Sequence, residues 1–96
     1  MLDLIIRALA RDDLRSILTY GVEEYGRDQA ESYLRVIDVT IDRVREFPEI
    51  GAIYSGLKQP LRSIISGKHR IFYERSDDII MIIRVLHQSM DVRARF

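Results

Sequence analysis

The spacing of apolar residues changes near the middle of this 96-residue chain, and that change restricts the folds available to it. In the first half, apolar side chains recur at three- and four-residue intervals, the period of one face of an α-helix. After residue 60 they alternate with polar side chains or form short continuous runs, which indicates β-strands. The sequence therefore predicts a helical part followed by a sheet.

Two helices are predicted, joined by a link of a few residues. The first spans roughly residues 10–25, with Asp12 and Asp13 in its opening turn and Gly26 just past its end. Gly21 within this helix costs about 1 kcal/mol relative to alanine, so we expect it to mark a close helix–helix approach.

The second predicted helix starts at Arg27-Asp28 and continues until Phe47-Pro48 stops it. A short Gly-containing link between two helices is typical of an antiparallel hairpin. The sequence thus predicts that the two helices pack side by side.

The predicted strands share a period of two. One lies within residues 2–7, ahead of the helices, and three follow the only long loop, residues 48–60. Those three strands, joined by short turns, cover residues 61–66, 69–75 and 79–86. The order β-α-α-β-β-β predicts an α+β fold in which a helical hairpin packs on a small, mostly antiparallel sheet. Residues 1–96 are expected to form a single domain.

Composition excludes several kinds of site. The chain has no cysteine, so it forms neither disulfides nor thiolate metal sites. Its two histidines, His69 and His87, lack the helical spacing of a zinc site, and Gly51 and Gly56 match no phosphate-binding loop. No cofactor or metal is therefore expected. No apolar run is long enough for a signal peptide or a membrane span, so a cytoplasmic protein without membrane contact is expected.

Charge is distributed unevenly although the net charge is zero. Residues 1–56 carry seven basic and eleven acidic side chains, whereas residues 57–96 carry eight basic and four acidic ones. Thirteen of the fifteen basic residues are arginine, which suits protein interfaces and phosphates alike. We expect an acidic partner to dock on the C-terminal half, although a solvated surface explains the pattern equally well.

Five short sequence motifs along the chain resemble those of the ParE branch of the RelE/ParE toxin superfamily. Their order and spacing cover essentially the whole chain. They are Ala10-Arg11-Asp12-Asp13-Leu14, Phe47-Pro48-Glu49-Ile50-Gly51, Leu61-Arg62-Ser63-Ile64, Gly67-Lys68-His69-Arg70-Ile71-Phe72-Tyr73 and Ile83-Arg84-Val85-Leu86-His87-Gln88-Ser89-Met90-Asp91.

This resemblance implies the toxin of a type II toxin–antitoxin pair. Its partner would be an antitoxin of ParD type, which joins a DNA-binding dimerisation region to a tail that wraps the toxin. Contact with DNA would then be indirect, through the antitoxin. The implied target is DNA gyrase, inhibited by protein binding rather than by catalysis. Two alternatives stay open: a ribosome-dependent mRNA endonuclease of RelE type, and a non-toxic member that only binds an antitoxin.

The nuclease alternative would use Arg62 and Arg84 against phosphate, with His87 as acid or base. No tyrosine follows Tyr73, so the acid–base set that RelE-type chemistry commonly uses is incomplete. We therefore expect no catalytic site, and no phosphate-sized hollow in which basic side chains converge with His87.

Two binding surfaces are predicted instead. An antitoxin helix would contact the second helix, where apolar residues exceed one stripe, and an antitoxin strand could add to an exposed sheet edge. The residues proposed for the antitoxin are Tyr33, Val36, Val39 and Arg62. The basic C-terminal end would contact the target, with Phe96 as an anchor or as the seat of a final helical turn. The residues proposed for the target are Arg84, His87, Met90, Arg93, Arg95 and Phe96.

Overall fold

The computed structural model describes residues 1–96 and contains two helices, five strands and a short 3-10 helix. Strand β1 (Asp3–Ile6) leads into helix α1 (Ala8–Tyr25) and helix α2 (Arg27–Glu46). Four strands follow, and a 3-10 turn at Arg93–Arg95 ends the chain. These strands are β2 (Ala52–Tyr54), β3 (Leu61–Ser66), β4 (His69–Arg75) and β5 (Ile79–His87). The α+β class and the helical hairpin on a mostly antiparallel sheet are confirmed.

The five strands form one sheet in the order β1-β5-β4-β3-β2. Strands β2 to β5 are antiparallel neighbours, and β1 pairs in parallel with the first half of β5, from Asp3 opposite Ile79 to Ile6 opposite Ile82. A bulge between Phe72 and Tyr73 leaves Ile83 without a partner in the register. Strand β1 is therefore one edge of the sheet, and β2 is the other.

The helices cover one face of the sheet. Helix α2 buries Ala30, Ile37, Ile41 and Val44, one stripe at three- and four-residue intervals. Three of these residues, Ile37, Ile41 and Val44, belong to the larger apolar cluster, which also contains inward-facing side chains of β4 and β5. Gly21 lies against α2, since a Cβ at this position would come within 3.0 Å of the Ala30 Cβ. The close helix–helix approach expected at Gly21 is confirmed.

The other face of the sheet carries a second, smaller apolar cluster formed by Leu61, Phe72 and Leu86. We refer to this side as the open face, because no helix of the hairpin covers it. Residues 91–96, the C-terminal tail, run along it. Val92 packs against the cluster, and the Phe96 ring lies edge-on to Phe72 at 5.1 Å between centroids. The final helical turn is thus seated on the sheet.

Two expectations about local structure are wrong. Residues 48–60 are not one loop, because Ala52–Tyr54 pairs with β3 as an edge strand. Asp12 and Asp13 do not lie in the opening turn of α1, because the helix already begins at Ala8, directly after β1. Its first turn is held instead by the Arg11 guanidinium, which donates to the carbonyl oxygen of Ile6 at 3.0 Å.

Neither helix combines the length and the apolar character that crossing a bilayer requires.

Candidate functional site

A cleft of about 460 Å³ opens between the open face of the sheet and the start of the C-terminal tail. Its cationic side chains come from the β3–β4 turn (Lys68), from β4 (Arg70) and from the tail (Arg93). His69 and His87 line the same cleft. We call it the basic cleft. It forms because the turn after β3 and the segment after β5 leave the sheet at the same end.

The cations of the basic cleft differ in how firmly they are held. Arg70 donates to the Ser63 hydroxyl at 2.9 Å, and its guanidinium carbon lies 5.5 Å from the centroid of the Tyr54 ring. These contacts fix Arg70 in place. Lys68 and Arg93 are exposed and take part in no salt bridge, so both charges are available to an anionic partner.

The two histidines are neighbours across β4 and β5. His69 pairs with His87 in the register, and the ring centroids are 5.2 Å apart. The Tyr33 hydroxyl bonds to Nδ1 of His69, and Nδ1 of His87 lies 2.7 Å from the Ser89 hydroxyl. Burial, followed by the charge of His87, lowers the pKa of His69 to about 4. At neutral pH His69 is therefore an uncharged ring.

The expectation that no phosphate-sized hollow brings basic side chains together with His87 is wrong. Basic side chains and His87 do line one cleft, large enough for a phosphate group or for part of a peptide. The antiparallel register brings these residues together although they are far apart in the chain. Chemically, the cleft can bind an anion, because Lys68 and Arg93 are exposed cations in its lining.

Arg84 is not part of the basic cleft. Its Nε and Nη2 atoms each donate to a carboxylate oxygen of Asp13 at 2.8 Å, and both side chains are only 13% exposed. The hydrogen bonds with Asp13 raise the pKa of Arg84 above its ordinary value. The prediction that Arg84 contacts a target or a phosphate has to be revised, because its charge is already bound inside the protein.

The Arg62 guanidinium is also held by hydrogen bonds within the protein. Its Nη1 atom donates to the carbonyl oxygen of Gly51 at 2.7 Å, and it lies 3.4 Å from that of Glu49. Arg62 therefore holds the segment before β2 against β3 and lies outside the cleft. The structure does not bring Arg62, Arg84 and His87 together, so the set predicted for the nuclease alternative does not assemble.

The remaining residues predicted to contact a target lie along one border of the open face. Met90 and Arg93 line the basic cleft together with His87. Arg95 and Phe96 follow in the tail, where Phe96 contacts Phe72 and remains 48% exposed. His87, Met90 and Arg93 therefore share one surface, and Phe96 lies on the same face of the sheet.

The residues predicted to contact an antitoxin separate into two groups. Val36 and Val39 point away from the core on α2 and are 50% and 60% exposed. Tyr33 faces the sheet instead, where its hydroxyl accepts the amide proton of Lys68 at 2.9 Å. The aromatic ring also fills the space beside Gly67, where a Cβ would come within 2.7 Å of it.

Sequence reasoning did not assign a binding role to Lys68, His69 or Arg70. A signal was present, however. Counting back from the Asp77-Asp78 turn pairs β4 with β5 and brings His69 close to the start of the tail. The bulge at Phe72 shifts this count by one residue, so the exact pairing with His87 needs coordinates.

Comparisons with known proteins agree with this architecture. Residues 4–92 match the family model described as "ParE toxin of type II toxin-antitoxin system, parDE". The chain is 41% identical over 85 residues to "Toxin ParE1" of Caulobacter vibrioides, and the alignment covers 88% of each protein. A match of this identity across most of both chains indicates common descent.

Solved structures share the fold at lower identity. A chain of the "Chromosomal ParDE TA system from P. aeruginosa" superposes with a TM-score of 0.77 at 18% identity, covering 91% of this chain and 96% of that one. A chain of the RelBE2 toxin–antitoxin complex of Mycobacterium tuberculosis superposes with a TM-score of 0.65, also at 18% identity, covering 90% and 96%. The chain belongs to the ParE toxins of type II toxin–antitoxin systems, within the RelE/ParE superfamily.

Proposed function

We propose that this ParE toxin inhibits DNA gyrase by binding it in the cytoplasm, and that a ParD-type antitoxin neutralises the toxin. Membership of the ParE family, established across residues 4–92, is the observation that carries the proposal. The related chain from P. aeruginosa comes from a ParDE system, which supports an antitoxin partner. DNA would be contacted only through that antitoxin.

The target surface that we propose is the border between the basic cleft and the tail. It combines free cations (Arg93 and Arg95) with partly exposed apolar side chains (Met90 and Phe96). Such a combination suits an acidic protein segment with apolar anchors, because arginine pairs with carboxylates and large apolar groups contribute most of the binding energy.

The antitoxin surface that we propose is the outer side of α2. Val36 and Val39 are exposed there, and Phe47 follows just after the helix, 55% exposed. An amphipathic antitoxin helix would bury these side chains. Arg62 and Tyr33 would support this surface without contacting the antitoxin directly, since both side chains are held by hydrogen bonds within the toxin.

A supercoiling assay with purified gyrase tests the proposal about the target. We expect the wild-type toxin to inhibit supercoiling, and Arg93→Glu with Arg95→Glu to weaken inhibition by about tenfold or more, since reversed charges repel an acidic partner. Arg27→Glu with Arg35→Glu is the matched control, because these exposed arginines lie on α2. Supercoiling that is unaffected by the wild-type toxin would contradict the gyrase proposal.

Antitoxin binding is tested by calorimetry with the co-encoded antitoxin. Val36→Glu with Val39→Glu should weaken the complex about a hundredfold, because two charges would be buried without partners. Leu9→Glu is the control, since Leu9 is similarly exposed but lies on α1. Equal effects of the two changes would argue against the α2 surface.

The basic cleft favours one second candidate, a ribosome-dependent mRNA endonuclease. Here Lys68 and Arg70 would bind phosphate, and His87 would act as the acid or base for the attacked RNA bond. Induction in cells without antitoxin, followed by mapping of transcript ends, separates the candidates. Cleaved transcripts that become intact with Arg70→Ala or His87→Ala, alongside normal supercoiling, would favour the nuclease. Absence of growth arrest would favour a member that only binds an antitoxin.

A further inference from the structure

The Asp13 carboxylate accepts three hydrogen bonds from the last strand. It accepts two hydrogen bonds from the Arg84 guanidinium and a third, at 2.9 Å, from the backbone N–H of Val85. Asp13 lies on α1 and its partners lie more than 70 positions later on β5. These contacts join the first helix to the last strand.

The end of β1 explains why β5 needs such an acceptor. Strand β1 pairs with β5 only as far as Ile82, where the Arg7 amide donates to the Ile82 carbonyl oxygen at 3.0 Å before α1 begins. Beyond this point β5 has no strand on that side, and a buried backbone N–H without a partner is costly. Asp13 takes the place of the missing strand at Val85.

Arg84 extends the connection to the C-terminal tail. Its remaining nitrogen, Nη1, donates to the carbonyl oxygen of Arg95 at 3.0 Å. Two apolar contacts also attach the tail, since Val92 packs on the smaller apolar cluster and the Phe96 ring lies against Phe72. Within the tail, the Arg93 N–H donates to the Asp91 carboxylate at 3.1 Å. Of these contacts, only the one from Arg84 joins a mostly buried side chain to the tail backbone, at the Arg95 carbonyl oxygen just before Phe96.

We infer that Asp13, through Arg84, is a positioning residue for the target-binding tail: it holds the guanidinium that fixes the Arg95 backbone. The expected effect on gyrase inhibition rests on the proposed function, whereas the expected effect on the position of the tail does not. Two bonds to Asp13 orient the Arg84 guanidinium. Because this group is planar and rigid, they also fix the direction of Nη1, which donates to the Arg95 carbonyl oxygen. The backbone that carries Arg95 and leads to Phe96 is thereby held in one place against the protein.

Asp13→Asn tests this inference, because asparagine keeps the shape of the side chain but removes the charge and one acceptor. We expect loss of the nuclear Overhauser effects between the Phe96 and Phe72 rings, and 15N relaxation of residues 93–96 typical of a free terminus. Gyrase inhibition should weaken by about tenfold or more, in keeping with the loss of a charge-assisted pair. Asp12→Asn is the matched control, since Asp12 contacts only Arg15 at the surface, and it should change neither measurement.

A second background separates positioning from general damage. In a chain carrying Arg93→Ala, Arg95→Ala and Phe96→Ala, Asp13→Asn should weaken inhibition less than about twofold further, because the tail side chains that it positions are gone. Equal losses in both backgrounds, or an ordered tail in Asp13→Asn, would overturn the inference.

A third variant covers the case in which Asp13→Asn does not fold. Arg84→Lys keeps a positive charge beside Asp13, but the lysine ammonium cannot also reach the Arg95 carbonyl oxygen. We therefore expect this variant to fold and to release the tail. A tail that stays ordered in Arg84→Lys would overturn the inference. If the wild-type toxin leaves gyrase active, the proposed function fails, and the two NMR measurements still decide whether Asp13 positions the tail.

Discussion

The Tyr73 hydroxyl is buried and has a partner on each side. It donates to the carbonyl oxygen of Pro48 at 2.8 Å and accepts the Gly51 amide proton at 2.9 Å. Tyr73→Phe would leave both backbone groups without a partner, so we expect the free energy of unfolding in urea to fall by about 1–3 kcal/mol. Tyr20→Phe, at an exposed position, should change it by less than about 0.5 kcal/mol. Equal stability of the two variants would contradict this prediction.

The pKa of His69 predicts a pH dependence of stability. Its pKa falls from 6.5 to about 4 on folding, mainly through burial and then through the charge of His87, with Asp13 acting in the opposite direction. Between these pH values the unfolded chain binds a proton that the folded chain does not. This group therefore lowers the free energy of unfolding as the pH falls from 6.5 to about 4, and causes no further change below that.

His69→Asn should remove this contribution while keeping an acceptor near the Tyr33 hydroxyl. Denaturant titrations at pH 6.5 and pH 4.5 measure it as a smaller loss of stability in the variant than in the wild type. An NMR titration of the imidazole signals checks the cause, since His87→Gln should raise the pKa of His69. A His69 ring that titrates near 6.5 in the folded protein would refute the prediction.

At the scale of single elements, α2 shows how one helix separates two tasks. Ile37 is fully buried and Val36 beside it is 50% exposed. Ile37→Ala should cost about 2–5 kcal/mol, because it removes buried groups and leaves a cavity. Val36→Ala should change stability by less than about 0.5 kcal/mol. Thermal and chemical unfolding of the pair measures the difference, and a similar cost for both would mean that the exposed side of α2 contributes to the core.

The elements that sequence alone predicted are those with a strong local pattern. Both helices and the strands before the tail follow from period and from turn residues such as Gly26 and Gly67, which have positive φ. Strand β2 was missed because it has three residues between glycines and exists only through its pairing with β3. The start of α1 was missed because Arg7 provides no side-chain cap.

Long-range contacts set the limit for the candidate site. Val36 and Val39 could be identified as exposed, since they exceed the single apolar stripe of α2. The Asp13–Arg84 pair could not, because its residues are 71 positions apart and each has an ordinary local explanation. The basic cleft was missed for a similar reason, as it depends on the register between β4 and β5.

Across the whole molecule, the sheet separates two surfaces of different chemistry. The helical layer on one side presents apolar residues on α2, whereas the open face presents cations around the cleft and tail. The excess of basic residues after position 57 has a structural meaning, since Lys68, Arg70 and Arg93 all border the same cleft. The surfaces that we propose for antitoxin and target should therefore respond differently to solution conditions.

Salt should distinguish the two surfaces. Charges that lie about 10 Å apart at a surface interact at 0.1 M salt but are largely screened at 1 M, where the Debye length is about 3 Å, whereas apolar burial is not screened. Raising sodium chloride from 0.1 M to 0.5 M should weaken inhibition of gyrase several-fold. The same change should alter binding of an antitoxin helix to α2 by less than about twofold. Surface plasmon resonance on each partner measures this. If gyrase binding proves insensitive to salt, contacts other than Arg93 and Arg95 must hold the target.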